Sequence, residues 1–186
     1  MNQKMEFWYT ARGTFNNSDS EAWKKYLVFS KLSQLIEVVS LDSMLNELVV
    51  EPDLTSVGDW DFVVSDGEYF TSFFNSLEYV LAKTNSKLFN LLQVVKEPEV
   101  ACENLMLGEY EFIGYDLLDK SYDISALVNC GGFDNTFSMS DLNHYGLIGD
   151  FTKAIDVNKR LLENNPEEYH ADCNRFAIWR HKVLGR

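Results

Sequence analysis

Cations are scarce in this chain. Among 186 residues, 16 Lys and Arg stand against 29 Asp and Glu, a formal net charge of −13 with a pI near 4.5. A chain this poor in cations cannot neutralise a phosphate backbone, which excludes direct nucleic-acid binding. An anionic membrane surface repels it for the same reason. There are only 3 prolines and 10 glycines, and no Pro- or Gly-rich linker divides the sequence. The 3 cysteines, Cys102, Cys130 and Cys173, are too few and too odd in number for a secreted disulfide framework. No apolar run approaches the roughly 18 residues that cross a bilayer. Met1 to Phe15 has neither the apolar core nor the small-residue site of a signal peptide, so a reducing, bacterial-type cytoplasm is the expected compartment. The phosphate-cradling GxxxxGK[ST], the dinucleotide GxGxxG, the nucleophile elbow GxSxG and the CxxC knuckle are all missing, and no cofactor or metal is expected.

What is abundant is apolar surface: 46% of residues are hydrophobic and 14% aromatic, enough to offset chain entropy in a folded core. The length suits one domain spanning 1–186. Met5 to Arg12 reads as a first strand. Ser18 and Glu21 form a capping box before a helix to about Leu32, with Ala22, Tyr26, Phe29 and Leu32 on one face. Leu35 to Leu41 fits either a continued helix or a buried strand, and residues 42–67 read as loop anchored by Trp60 and Phe62 to Val64. Tyr69, Phe70, Phe73, Phe74, Leu77, Val80 and Leu81 recur at helical spacing and predict a helix. Leu88 to Val95 predicts a strand, and Glu109–Leu118 with Tyr122–Asn129 an antiparallel hairpin. Asp150 caps one C-terminal helix, and Asn165-Pro166 with Glu168 starts another that ends among Arg175, Arg180, Lys182 and Arg186. The expected fold class is α+β, a mainly antiparallel sheet packed with helices and closed by a C-terminal helical pair.

The acidity is local. Residues 1–39 carry a net +1, residues 124–186 a net −1, and residues 40–123 the whole −13. In this middle segment Asp59, Asp61, Asp66 and Glu68 flank Trp60 and Phe62, while Glu109, Glu111, Asp116, Asp119 and Asp123 decorate the expected hairpin. Acid this dense repels itself, and a basic partner relieves the repulsion and is steered toward it. The plainer reading is solubility, which spread-out charge would serve equally well.

Other constellations are weaker. His170 and Cys173 share a helix face if the last helix forms, but two ligands do not make a structural metal site. Cys130, followed by Gly131-Gly132, with Asp141 and His144 supplies the residue types of thiol catalysis without a surrounding signature, and a glycine turn explains the same residues. The i, i+2 pairs Asp59/Asp61 and Glu109/Glu111 share a face on a strand, a spacing common in any acidic chain.

Phe112 to Phe133 (FIGYDLLDKSYDISALVNCGGF), Asp150-Phe151, Asn165 to Glu168, Val39 to Leu45 and Trp60 together resemble the small immunity proteins of polymorphic and contact-dependent bacterial toxin systems. The resemblance covers about a third of the chain and implies a cytoplasmic, non-enzymatic inhibitor whose partner is a basic toxin domain, a nuclease being the expected class because nucleases must hold phosphates. The expected contact residues are Asp59, Trp60, Asp61, Glu109, Tyr110, Glu111, Tyr115, Asp116, Asp119 and Tyr122, with no catalytic residue. The rival readings are a cytosolic enzyme using Cys130 or a carboxylate cluster, and a self-associating structural or regulatory protein.

Overall fold

The structure, a computed structural model, describes residues 5–16, 18–55, 57–67, 69–128 and 136–184. Its centre is a six-stranded antiparallel sheet. The strands are β1 (Trp8–Gly13), β4 (Val63–Asp66), β5 (Tyr69–Phe74), β6 (Phe89–Lys96), β7 (Tyr110–Asp119) and β8 (Cys173–His181), in the order β4-β5-β1-β6-β8-β7. A two-stranded ribbon pairs β2 (Phe15–Asn16) with β3 (Glu37–Val38). The helices are α1 (Glu21–Ser30), α2 (Val57–Trp60), α3 (Leu77–Lys83) and α4 (Phe151–Asn164). The α+β class expected from the sequence is the class observed.

β6 shows why the middle of the sheet is where it is. Leu91, Leu92, Val94 and Val95 are all buried, so the strand is apolar on both faces. Leu91 and Val95 face the helices together with Ala11, Ala177 and Trp179. On that side α4 buries Ala154, Val157 and Leu161, α1 buries Trp23 and Tyr26, and α3 buries Tyr79 and Val80. Leu92 and Val94 face the other way with Trp8, Phe73, Phe176 and Ile178, and there irregular chain supplies the cover: Val39, Leu41, Tyr122 and Leu147. Side-chain oxygens fix the helix starts: Ser20 accepts from Trp23 N at 3.2 Å, Ser76 from Tyr79 N at 3.2 Å and Asp150 from Lys153 N at 2.8 Å.

Four expectations are corrected. The cap of α1 is Ser20, with Ser18 Oγ donating to it, and the buried stripe is Trp23, Tyr26 and Ser30 while Phe29 is exposed. Tyr69 to Phe74 is strand, because a Tyr-Phe-Thr-Ser-Phe-Phe run suits a pleated, half-buried surface between β4 and β1; the helix begins only after Ser76. Tyr122 to Val128 is not the second arm of a hairpin. Asp119 Oδ1 accepts from Asp123 N and Ile124 N, which curls the chain locally, and only the bridge Leu118↔Ser125 remains. The expected C-terminal helical pair is one helix and one strand. Cys173–His181 fills the slot between β6 and β7, where burial of Phe176, Ala177, Ile178 and Trp179 on both faces outweighs the helix-start signals at Asn165 and Pro166. A 3-10 turn over Tyr169–Ala171 is what remains of the second helix.

β7 carries a register shift between Phe112 and Gly114. Gly114 sits at φ +142°, and a Cβ there would lie 2.6 Å from Leu147 Cβ and 3.0 Å from Ile148 O. Gly114→Ala is therefore expected to destabilise the protein by about 2–4 kcal/mol through overpacking and backbone strain. Thermal unfolding checks it: an unchanged Tm contradicts the tight approach of residues 147–148 to β7.

Candidate functional site

The ten expected contact residues do not share a face. Asp59, Trp60 and Asp61 precede β4, while Glu109 precedes and Tyr110 and Glu111 open β7, the opposite edge of the sheet. Five strand spacings separate those edges, roughly 24 Å.

At the second edge most of the expected residues have internal duties. Tyr115 is buried, and its hydroxyl accepts from Cys102 N at 2.8 Å. Tyr110 packs edge-on to His181, and burial pushes its phenol up to about 12. Glu111 pairs with Arg180 at 3.2 Å. Only Glu109 is free of an internal role for its side chain among the contacts described, and it is exposed.

Asp116 and Asp119 are fully buried, so they offer no charge to a partner. Asp116 accepts from Ser40 Oγ at 2.9 Å, Leu41 N at 2.8 Å, Leu117 N at 2.9 Å and Ser125 Oγ. It fastens residues 40–41 and 125 to β7, and burial holds its carboxyl above the ordinary aspartate value. Asp42 repeats the device with Met44 N, Leu45 N and Ser125 N, and burial raises it too. Asp119 holds its own turn, and its Oδ2 meets His170 Nδ1 at 2.6 Å.

At the first edge the geometry is different. Asp59 pairs with Lys83 at 2.8 Å and accepts from Asp53 N at 2.6 Å, and the lysine holds its carboxyl below the usual range. Trp60 donates Nε1–H to Leu54 O at 2.8 Å, which fixes its ring 4.5 Å from that of Phe70. Phe70 is 65% exposed and Trp60 37%, an unusual concentration of bare aromatic surface. Asp61 is exposed beside them.

The Trp60–Phe70 corner is one wall of a cleft of about 460 Å³. Leu48, Leu54, Val63 and Phe74 add apolar lining, and the turn Ser121-Tyr122-Asp123 lines the same cleft. Tyr122 is buried and reaches back to the sheet: its hydroxyl donates to Asp66 and accepts from Lys96 Nζ at 2.6 Å. Of the ten expected residues, the structure therefore brings together Trp60 and Tyr122 as cleft walls, with Asp59 and Asp61 flanking Trp60.

The cleft also contains Arg12 and Ser72, which the sequence did not single out as site residues, and Phe70, which it placed in a helical stripe. Arg12 is buried in β1; its Nη1 donates to Asn46 O at 3.2 Å and its Nη2 to Ser72 Oγ. Burial pulls its guanidinium down to about 10, although Asp42, Asp116 and Asp123 favour its charge through space. A cation amid aromatics in an otherwise apolar strand was the available signal, but with both faces of β1 buried the period-2 pattern did not say where it pointed.

No group of three or more His, Cys, Asp and Glu that can hold a metal occurs among the described residues. Cys173 begins β8, so it does not share a helix face with His170; its thiol contacts His170 O instead. Burial pushes the Cys173 thiol up and the Cys102 thiol up to about 11, which suits packing rather than nucleophilic attack. Cys130, Gly131 and Gly132, for which the sequence suggests a turn, lie outside the described residues. Asp141 caps a 3-10 turn and pairs with Lys153 at 3.0 Å, while the His144 ring packs on Tyr145. No helix among the described residues is long and apolar enough to cross a membrane.

Comparisons with protein-family models, with curated proteins and with solved structures return no match for this chain. The likeness to immunity proteins therefore stands on the residues quoted for it alone.

Proposed function

We propose that this chain is an immunity-type inhibitor, acting in the cytoplasm, that binds and neutralises a basic toxin domain of the nuclease class. The observation that carries the reading is the Trp60–Phe70 corner, bare aromatic surface flanked by Asp53, Asp59, Asp61 and Asp123. Aromatic anchors within a charged rim are the composition of tight interfaces, and the acid supplies steering toward a cationic partner. The contact set contracts to one edge: Trp60 and Phe70 anchor, and Asp61 and Asp123 steer. Asp116 and Asp119 leave the set because they are buried, and Glu109 and Glu111 because they belong to the opposite edge. No described residue favours the enzyme or self-association readings over this one.

The proposal requires a toxin gene beside this one; charge reversal at Asp61 and Asp123 is expected to slow association with its product by about tenfold at low salt and to converge with wild type at high salt. Stopped-flow association at two ionic strengths reads this directly. Identical rates for both proteins at low salt exclude this rim.

A further inference from the structure

We infer that the cleft receives one arginine side chain of the protein partner, with its stem and guanidinium plane laid against Trp60 and Phe70 and its charge met by Asp123. This deepens the inhibitor proposal and rests on it for the source of the arginine.

The polar side chains that line the cleft turn their protons away from it. Ser43 Oγ donates to Asp123 Oδ1, Thr71 Oγ1 to Val64 O at 2.8 Å and Ser121 Oγ to Asp119 Oδ2 at 2.9 Å. Tyr122 gives its hydroxyl proton to Asp66, and Trp60 gives its indole N–H to Leu54 O. The Ser43 and Ser121 oxygens keep lone pairs with which to accept. Asp123 is exposed, and its second carboxylate oxygen takes no hydrogen bond among the described contacts. Ser72, whose oxygen accepts from Arg12, is the exception among these hydroxyls. A lining rich in acceptors and poor in free donors fits a ligand that brings donors of its own, and a guanidinium brings five.

Arg12 borders the same cleft without setting the charge at its mouth. It is 0% exposed and donates to Asn46 O and Ser72 Oγ. Asp42, Asp116 and Asp123 act on it through space, and the same carboxylates oppose its field in the cleft. Asp61, exposed next to Trp60, adds a further negative charge at the rim. The accessible surface therefore favours a cation and disfavours an anion.

The apolar walls select arginine over lysine. The bare ring surface of Phe70 and Trp60 suits a planar, weakly hydrated guanidinium, which stacks on aromatic faces, whereas an ammonium holds its water more strongly. Pro52 and Leu54 extend the apolar surface for the methylene stem. A cleft of about 460 Å³ has room for one such long side chain.

NMR titration of the full chain with blocked tripeptides tests this, each peptide holding arginine, citrulline or lysine between two glycines. Citrulline keeps the shape of arginine without its charge. The arginine peptide is expected to bind about tenfold more tightly than the citrulline peptide, more tightly than the lysine peptide, and to shift the Trp60 indole N–H signal. Asp123→Asn should lower the arginine peptide to the affinity of the citrulline peptide and leave the latter unchanged, which also reports that the variant is folded. Phe70→Ala should weaken both. Equal binding of the arginine and citrulline peptides, preference for lysine, an unmoved Trp60 signal, or no binding of any peptide overturns the inference. No toxin enters this titration, so its failure is distinct from a failure to protect cells against a toxin, which is what would overturn the inhibitor proposal.

Discussion

Asp116→Ala is expected to destabilise the protein by about 3–5 kcal/mol, because it removes the acceptor for several buried donors and a counter-charge for a buried arginine. Ser40 Oγ, Leu41 N and Ser125 Oγ all lose their partner, and none of these residues has access to water to replace it. For a urea slope of about 2 kcal/mol/M the midpoint falls by roughly 2 M. Asp116→Asn keeps one carbonyl acceptor but turns an amide toward donors, so its midpoint should fall between the two. The pH dependence has a definite sign. Burial raises the Asp116 carboxyl above its ordinary value of 3.8, so the native state holds this proton more tightly than the unfolded chain. The group's stabilising contribution is full below the unfolded value and declines as pH rises through the native one. Asparagine does not titrate, so the advantage of wild type over Asp116→Asn should be largest in acid and narrow as pH rises. Urea midpoints measured for both proteins across that range give the difference, and a constant or widening gap contradicts the burial of this carboxyl.

Arg180→Met is expected to cost about 3 kcal/mol. Arg180 is only 4% exposed and joins three parts of the chain: Nη1 meets Glu37 on β3 at 2.9 Å, Nη2 meets Glu111 on β7 at 3.2 Å, and Nη2 also donates to Tyr145 Oη at 2.6 Å. Its guanidinium lies 4.4 Å from the centre of the Tyr145 ring. Most of the loss comes from Glu37, left part-buried without its cation. Adding Glu37→Gln to Arg180→Met should therefore recover part of the stability, a non-additivity that a double-mutant cycle measures by denaturation. Strict additivity contradicts the pairing. Arg180→Lys keeps the charge but not the fork that reaches Glu37 and Glu111 from separate nitrogens, so it should fall between wild type and methionine.

The sequence made β1, β6, β7 and α4 legible because each advertises itself locally, by an aromatic run, a doubly apolar run, an alternating start and an Asp150 cap. β5 and β8 were misread for one reason. Tyr69 to Phe74, half-buried with Tyr69 and Phe70 exposed, and Cys173 to His181, buried on both faces, are short stretches in which periodicity does not separate strand from helix. Their state is fixed by the neighbours that pair with them: β8 by the sequence-distant β6 and β7, and β5 by β4 across a short turn and by β1 at one position. The site fared similarly. Trp60 and its acidic flanks were readable from composition, while the meeting of Trp60 with Phe70, Arg12 and Tyr122 depends on the sheet order. Asp116 and Asp119 look like surface charge in a hydrophilic-looking segment, and only the folded chain shows them turned inward to hold loops. The net charge of −13 is thus not all surface, since Asp42, Asp116 and Asp119 are buried.

The most direct test of an inhibitor that works through the Trp60–Phe70 edge is protection from growth arrest. The product of the toxin gene that the proposal requires beside this one is expressed alone, with the wild-type chain, with a Trp60→Ala/Phe70→Ala variant whose fold is verified by circular dichroism, and with Glu109→Lys. Wild type and Glu109→Lys are expected to restore growth, and the Trp60→Ala/Phe70→Ala variant to fail. Arrest that wild type does not relieve, or full protection by the Trp60→Ala/Phe70→Ala variant, contradicts the proposal.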